Sequence, residues 1–232
     1  MSKRTLESHG QFFTKYLHKG HNVLDCGCGP GTITLDIATV IYPGNVTGVD
    51  FSGSQIERAK GNTAERRVEN VTFQIASCYS LPFADSSFDC IFCHALMEHL
   101  SEPVKALREL FRVLKPDGYI GVCSPDFGGL LLAPASDKLA AAVSSYASMQ
   151  KANGGDLHIG HKFGAYLSEA GFKDIRMSAR YENYPSLTFI GEYLALQLEQ
   201  KGHKEHAQTL LEWSKNKEGM FAQAWVSAIG RK

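Results

Sequence analysis

The segment Asp25–Gly31, DCGCGPG, places three glycines, two cysteines and a proline directly behind the apolar run that ends at Leu24. Three chemistries compete for such a loop. A phosphate-binding P-loop requires a lysine followed by serine or threonine after the glycines, and neither is present. A dinucleotide fingerprint requires a third glycine where this chain has Thr32, and Pro30 removes a backbone N–H that a pyrophosphate cradle would use. A metal site would rest on Cys26 and Cys28, or on Cys90 and Cys93, and isolated cysteine pairs are weak metal signatures. Cys90 and Cys93 lie in an apolar strand pattern whose odd spacing puts them on opposite faces. These thiols are read as small buried hydrophobes, and no metal is expected.

A small cofactor carrying an adenosine but no phosphate is the remaining option. Glycines let the main chain approach such a ligand closely. The decisive companion is Asp50, 19 residues beyond Gly31 in GVDFS. A carboxylate at the end of a second strand accepts hydrogen bonds from ribose hydroxyls.

The elements that must position these residues follow from short apolar runs alternating with helical patterns, which indicate an α/β protein with a mostly parallel sheet. NVLDCG, VTGVD, VTFQIA, FDCIFCH and YIGVCS read as five strands in order. The first 18 residues read as a helix with Leu6, Phe13 and Leu17 at helical spacing. Ile33, Ile37, Val40 and Ile41 are expected on one face of the next helix. Ser52 and Gln55 are spaced as a capping box for the helix after it. Pro103 sits in the first turn of a helix that turns Val104, Leu107, Phe111 and Leu114 inward. KPDG reads as a turn in which Gly118 supplies the positive φ, and FGGLLLAP reads as a loop. Helices are expected over 136–152, in HKFGAYLSEAGF up to Gly171, and around 187–201 and 203–216. Strands are expected at DIRMSARY and MFAQAWVSAIG.

Composition narrows the function classes. The chain has 232 residues with 24 basic and 24 acidic side chains, so it lacks the charge footprint of a nucleic-acid binder. The N-terminal segment has scattered charges and no apolar core, so no signal peptide is expected, and no apolar stretch is long enough to span a bilayer. Six cysteines in such a chain point to the reducing cytoplasm.

Taken together, VLDCGCGPG, GVDFS, SLPFADSSFDCIFCHALMEHL and ALRELFRVLKPDGYIGV resemble class I S-adenosylmethionine-dependent methyltransferases. The branch they resemble is that of the ubiquinone/menaquinone-biosynthesis enzymes and many natural-product enzymes. The resemblance covers residues 22–125. It implies a Rossmann-like seven-stranded, mostly parallel sheet with helices on both faces and the last strand antiparallel. One domain is expected: a cap helix over 1–20, a cofactor core over 22–125 and a variable substrate-side half over 126–232.

The resemblance also implies site roles. Asp25, Gly27, Gly29 and Gly31, with Thr32 after them, border the methionine side of S-adenosylmethionine. Asp50 takes the ribose, Phe51 lies beside the adenine, and Ser52 or Gln55 is close by. Ser77 stands where the family usually has an aspartate that accepts from the adenine amino group, a departure that implies weaker adenine binding. The Cys78 N–H serves a ring nitrogen, and Tyr79 stacks or lines the rim. His94 faces the transferred methyl as base or orienting group, whereas His99 is assigned to packing beside Glu98. Arg4 and His9 on the N-terminal helix, Asp126 at the end of the fifth strand, and His158 are the substrate-side candidates. Asp156, His158 and His161 are read as a loop-to-helix junction. Phe189 and Tyr193 are expected to face inward from a lid.

The expected activity is methyl transfer to an oxygen or nitrogen of a small molecule in specialised metabolism, leaving S-adenosylhomocysteine. A non-catalytic cofactor-binding protein and C-methylation of a quinone-like acceptor are the alternatives. Neither nucleic acid nor membrane is expected as partner, and a homodimer is compatible with the reading.

Overall fold

The computed structural model describes residues 4–184 and 186–232. Seven strands form one sheet: β1 (Asn22–Cys26), β2 (Asn45–Asp50), β3 (Val71–Ile75), β4 (Phe88–His94), β5 (Leu114–Ala133), β6 (Lys173–Asn183) and β7 (Met220–Arg231). Their order is β3-β2-β1-β4-β5-β7-β6. The first five pair in parallel, and β7 runs antiparallel to both of its neighbours. The chain winds outward in opposite directions from β1 and β4, which opens a crevice beyond their carboxyl ends. That crevice positions everything below.

Helices cover both faces because the central strands are apolar on both sides. On one face α1 (Thr32–Ile41) and the N-terminal segment bury Phe13, Ile37 and Ile41 against Val23, Val46 and Phe92. On the other, α3 (Pro103–Val113) and α5 (Phe163–Glu169) bury Leu107, Leu110, Phe163 and Leu167 against Ile91 and Ile120. α2 (Gly53–Arg66) lies beside β2 and β3, burying Ile56 and Ala59. A third core joins α4 (Asp137–Ala152), α6 (Leu187–Gln200) and α7 (Lys204–Trp213) to the start of β7 through Leu139, Leu194, Leu210 and Phe221.

Several local expectations are corrected. Instead of one N-terminal helix, a π-helical turn over Leu6–Gly10 is followed by a 3₁₀ turn over Gln11–Tyr16; residues 1–3 lie outside the described residues. Gly10 is packed where a Cβ would meet Leu6 Cδ1 at 2.5 Å, and Leu6, Phe13 and Leu17 are buried. Val40 is exposed on α1. Ser52 makes no side-chain cap on α2; its hydroxyl meets Ser54 Oγ at 2.9 Å. In α3 the inward residues are Ala106, Leu107, Leu110 and Val113.

The positive φ of KPDG belongs to Asp117, at 63°. Gly118 is needed instead for close approach, since a Cβ there would lie 2.8 Å from the Asp89 carbonyl oxygen. FGGLLLAP is not a loop. β5 resumes pairing with β7 through Leu131, Leu132 and Ala133 after a register shift. The glycines allow that irregularity, and the apolar run beyond them finds a strand partner far away in sequence.

Candidate active site

The glycine loop is shaped by backbone bonds to β2. Gly27 and Cys28 both donate their N–H to the Val49 carbonyl, at 2.8 and 3.0 Å. Gly27, Gly29 and Gly31 have φ values of 77°, 53° and 75°, the left-handed region that side chains disfavour. A Cβ on Gly27 would press on Leu96 at 3.0 Å, whereas one on Gly29 would meet nothing within 4 Å because Gly29 borders open space. Asp50 locks the loop from the next strand. Its Oδ2 accepts from the Gly29 N–H at 2.9 Å and its Oδ1 from the Ser52 N–H at 2.8 Å. Each oxygen keeps lone-pair capacity toward the crevice. Asp25 is buried beneath the loop and accepts from the Thr34 hydroxyl; burial raises its carboxyl to about 7.

The loop opens on a cleft of about 330 Å³, and nine of the expected site residues line it: Arg4, Asp25, Gly27, Gly29, Thr32, Asp50, Ser52, Gln55 and His94. The buried Gln55 Oε1 has no protein donor. An orphaned acceptor, a backbone cradle and a pre-oriented carboxylate are what hydroxyl donors on a nucleoside would meet.

His94 is 7 % exposed at the end of β4. Its ring stacks on Trp225 at 4.8 Å and meets His9 edge-on at 5.1 Å. Its Nε2 is buried without a hydrogen-bond partner. Burial first, then the Arg4 charge, holds the imidazole well below its ordinary range, so it is neutral at physiological pH.

The other expected residues lie outside this cleft. Gly31 is tightly packed, and a Cβ there would meet Phe73 Cζ at 2.6 Å. Phe51 is 83 % exposed. The Ser77 hydroxyl accepts from the Tyr79 N–H at 3.3 Å, within a small Ser77–Ser80 bridge. The Cys78 thiol is pushed up to about 12 by burial. Tyr79 turns toward α3, where its hydroxyl accepts from the Glu102 N–H at 3.3 Å and its ring lies under Lys105. His9 meets the Ser8 hydroxyl through Nδ1 at 2.7 Å, and its Nε2 lies 3.6 Å from Glu182 Oε1. Asp126 is fully buried and spent on structure, accepting from Gly128 N–H and from the backbone and ring of His161 at 2.8–3.1 Å. His158 lies 3.9 Å from Asp126 and does not line the cleft. Among the described residues no group of three or more His, Cys, Asp or Glu side chains is placed to hold a metal ion. No described helix is long and apolar enough to cross a membrane.

Past Arg4, Ala95 and His99 the cleft adjoins a second chamber of about 160 Å³. Its walls come mainly from β5, α4, α6 and β7, with Phe127, Tyr146, Phe221 and Trp225, and are completed by Tyr184 after β6. Phe189 and Tyr193 also line it but are 64 % and 42 % exposed, so they form its mouth, not an inward-facing lid core. The Arg4 guanidinium lies over the Trp225 ring at 4.8 Å. Sequence reasoning missed Glu98 here. It is 4 % exposed, lines the chamber, and accepts from the Ser124 hydroxyl at 2.7 Å. The signal available was an acidic residue in the short link after the fourth strand, in MEHL.

The profile of the methyltransferase-domain family matches residues 17–186. Over 123 residues the chain is 40% identical to an uncharacterized methyltransferase of Schizosaccharomyces pombe, covering 50% of this chain and 44% of the relative. Over 117 residues it is 35% identical to the ubiquinone/menaquinone biosynthesis C-methyltransferase UbiE of Bdellovibrio bacteriovorus, covering 48% and 49%. The matched region thus spans less than half the length of these curated relatives. A solved structure of Haemonchus contortus phosphoethanolamine N-methyltransferase 2 in complex with S-adenosyl-L-methionine shares the fold. Its TM-score is 0.65 at 18% identity, covering 96% of this chain and 51% of that one.

Proposed function

Because the chain belongs to the methyltransferase-domain family, we propose that it transfers a methyl group from S-adenosylmethionine to an oxygen or nitrogen of a small molecule. The observation that carries this reading is Asp50, held by two backbone N–H groups at the floor of a cleft that adjoins an aromatic chamber. When bound, S-adenosylmethionine supplies a methyl already activated on a sulfonium sulfur. Asp50 and Gln55 would hold the ribose, and the glycine loop with Asp25 and Thr32 would border the methionine arm. Ser77, with Cys78 and Phe51 nearby, would reach the adenine at the outer rim.

The protein's remaining task is to align the acceptor and exclude water, which contributes up to roughly 7–11 kcal/mol in well-oriented systems. His94 and Trp225 supply a stacked wall at the junction of the two spaces. Since burial makes a His94 imidazolium costly, the neutral ring is assigned to orienting the acceptor and not to taking its proton. The equal numbers of acidic and basic residues support a small acceptor over nucleic acid. A cell extract incubated with methyl-labelled S-adenosylmethionine tests the reading. The wild type should yield a labelled small product that is absent with Asp50→Ala. Cofactor binding without any labelled product would favour a non-catalytic role.

A further inference from the structure

Glu98 is a buried carboxyl that the roles above leave unused. It sits on a 3₁₀ turn, Met97–His99, directly after β4, and it lines the aromatic chamber. One oxygen, Oε2, is fixed by the Ser124 hydroxyl of β5 at 2.7 Å. The other, Oε1, has His99 Nε2 at 3.8 Å, beyond hydrogen-bond distance. A buried carboxyl with an open oxygen in an aromatic chamber invites a ligand that brings an N–H or O–H donor.

The chamber sets the rest of that ligand. Its volume of about 160 Å³ is close to the about 150 Å³ of an apolar cavity known to take benzene. Phe127, Tyr146, Phe221 and Trp225 make its wall largely aromatic. The charge is provided by Arg4, 4.8 Å over Trp225, with Arg180 at 5.9 Å from the same ring. The Arg4 guanidinium, which lines the chamber, opposes a cationic amine and favours an oxygen that becomes anionic.

Resting on the functional reading above, we infer that the acceptor is a hydroxyl-bearing aromatic ring and that Glu98 takes its hydroxyl proton. The O–H electron pair stays on the oxygen and forms the new bond to the methyl carbon. The methyl–sulfur bond breaks with its pair left on sulfur, which becomes a neutral thioether. The proton on Glu98 then returns to solvent. Burial raises the Glu98 carboxyl above its ordinary range, against the pull of His99, Ser124 and Arg4, which strengthens its carboxylate as a base.

Two phenols of similar size and different acidity test this, para-methoxyphenol and the far more acidic para-nitrophenol, with para-methoxyaniline as the amine control. With the wild type, methylation of the phenols should exceed that of the aniline. Glu98→Gln keeps an acceptor for Ser124. It should lower kcat/KM for para-methoxyphenol by about 10²-fold or more, the usual size of a lost general base. The loss with para-nitrophenol, which ionises unaided, should be several-fold smaller. Ser124→Ala should show the same dependence on acceptor acidity at reduced size. Equal losses on the two phenols, or preference for the aniline, would overturn the assignment, as would a wild type that binds S-adenosylmethionine but methylates neither phenol. Titration of S-adenosylmethionine onto both proteins separates the two levels. No binding to the wild type would sink the functional reading itself, and intact binding to Glu98→Gln with unchanged turnover would sink only the role of Glu98.

Discussion

The proposed cofactor cleft and the proposed acceptor chamber of this molecule are built by different means. The first is a backbone object: Val49, Gly27, Cys28 and Gly29 shape it through main-chain bonds, with the Asp50 carboxylate locking Gly29. The acceptor chamber is a side-chain object. Its walls come from segments as far apart as Arg4, Glu98, Tyr146 and Trp225. A backbone cradle tolerates little variation because left-handed φ values and close approaches dictate glycine. A chamber walled by side chains can change its ligand by exchanging a few residues.

The largest expected effect strikes where the two sides meet. Trp225 is 1 % exposed and stacks on His94 beneath the Arg4 guanidinium. Trp225→Ala should cost about 3–5 kcal/mol of stability, read by denaturant unfolding. Trp225→Phe keeps most of the ring surface. It should raise the acceptor KM while leaving S-adenosylmethionine affinity within about twofold, a change well under 1 kcal/mol. A parallel loss of both affinities would break the division between the two sides.

Within the cradle, Gly31→Ala and Gly29→Ala sharpen the contrast. The first forces a Cβ to within 2.6 Å of Phe73 at a φ of 75°. It should destabilise by about 2–4 kcal/mol, combining overpacking with left-handed strain. Gly29→Ala has open space around its Cβ. It should cost only about 1–2 kcal/mol of stability, from strain alone, while weakening cofactor binding more than Gly31→Ala does at a temperature where both remain folded. Equal effects on binding would contradict the assignment of Gly29 to the ligand face.

These features were unevenly legible in the sequence. DCGCGPG and Asp50 were readable because backbone geometry restricts which residues fit, and the alternation of apolar runs indicated the parallel sheet. The extension of β5 through Leu131–Ala133 was hidden because its partner residues, Met220–Ala222, lie far along the chain. Glu98 was hidden for a related reason. Its burial depends on Ser124 and on walls contributed by β7 and α6, none of which spacing within MEHL reveals. Conversely, Asp126 and Tyr79 had suggestive positions but found partners in Gly128, His161 and Glu102.

Smaller effects test the rim and the floor of the cradle. Ser77→Asp should tighten S-adenosylmethionine binding several-fold by adding charge assistance at the adenine, as measured by equilibrium titration; weaker binding would remove Ser77 from the site. Asp25 provides a pH signature. Its folded carboxyl is raised to about 7, so the folded state holds a proton that the unfolded state has released. Its contribution to stability is complete below the ordinary carboxylate range and is lost as pH rises from about 4 through about 7. Asp25→Asn still accepts from Thr34 and cannot ionise. Its melting temperature relative to wild type should therefore climb across that window, and a constant difference would contradict a raised Asp25.

The most direct measurement is calorimetric titration of S-adenosylmethionine onto the wild type and Asp50→Ala. Saturable one-to-one binding to the wild type is predicted. The variant should bind at least about 10²-fold more weakly, consistent with loss of charged hydrogen bonds worth about 1.5–3 kcal/mol each, while its unfolding remains cooperative. A wild type that does not bind S-adenosylmethionine, or a folded Asp50→Ala that binds it equally well, would contradict the account.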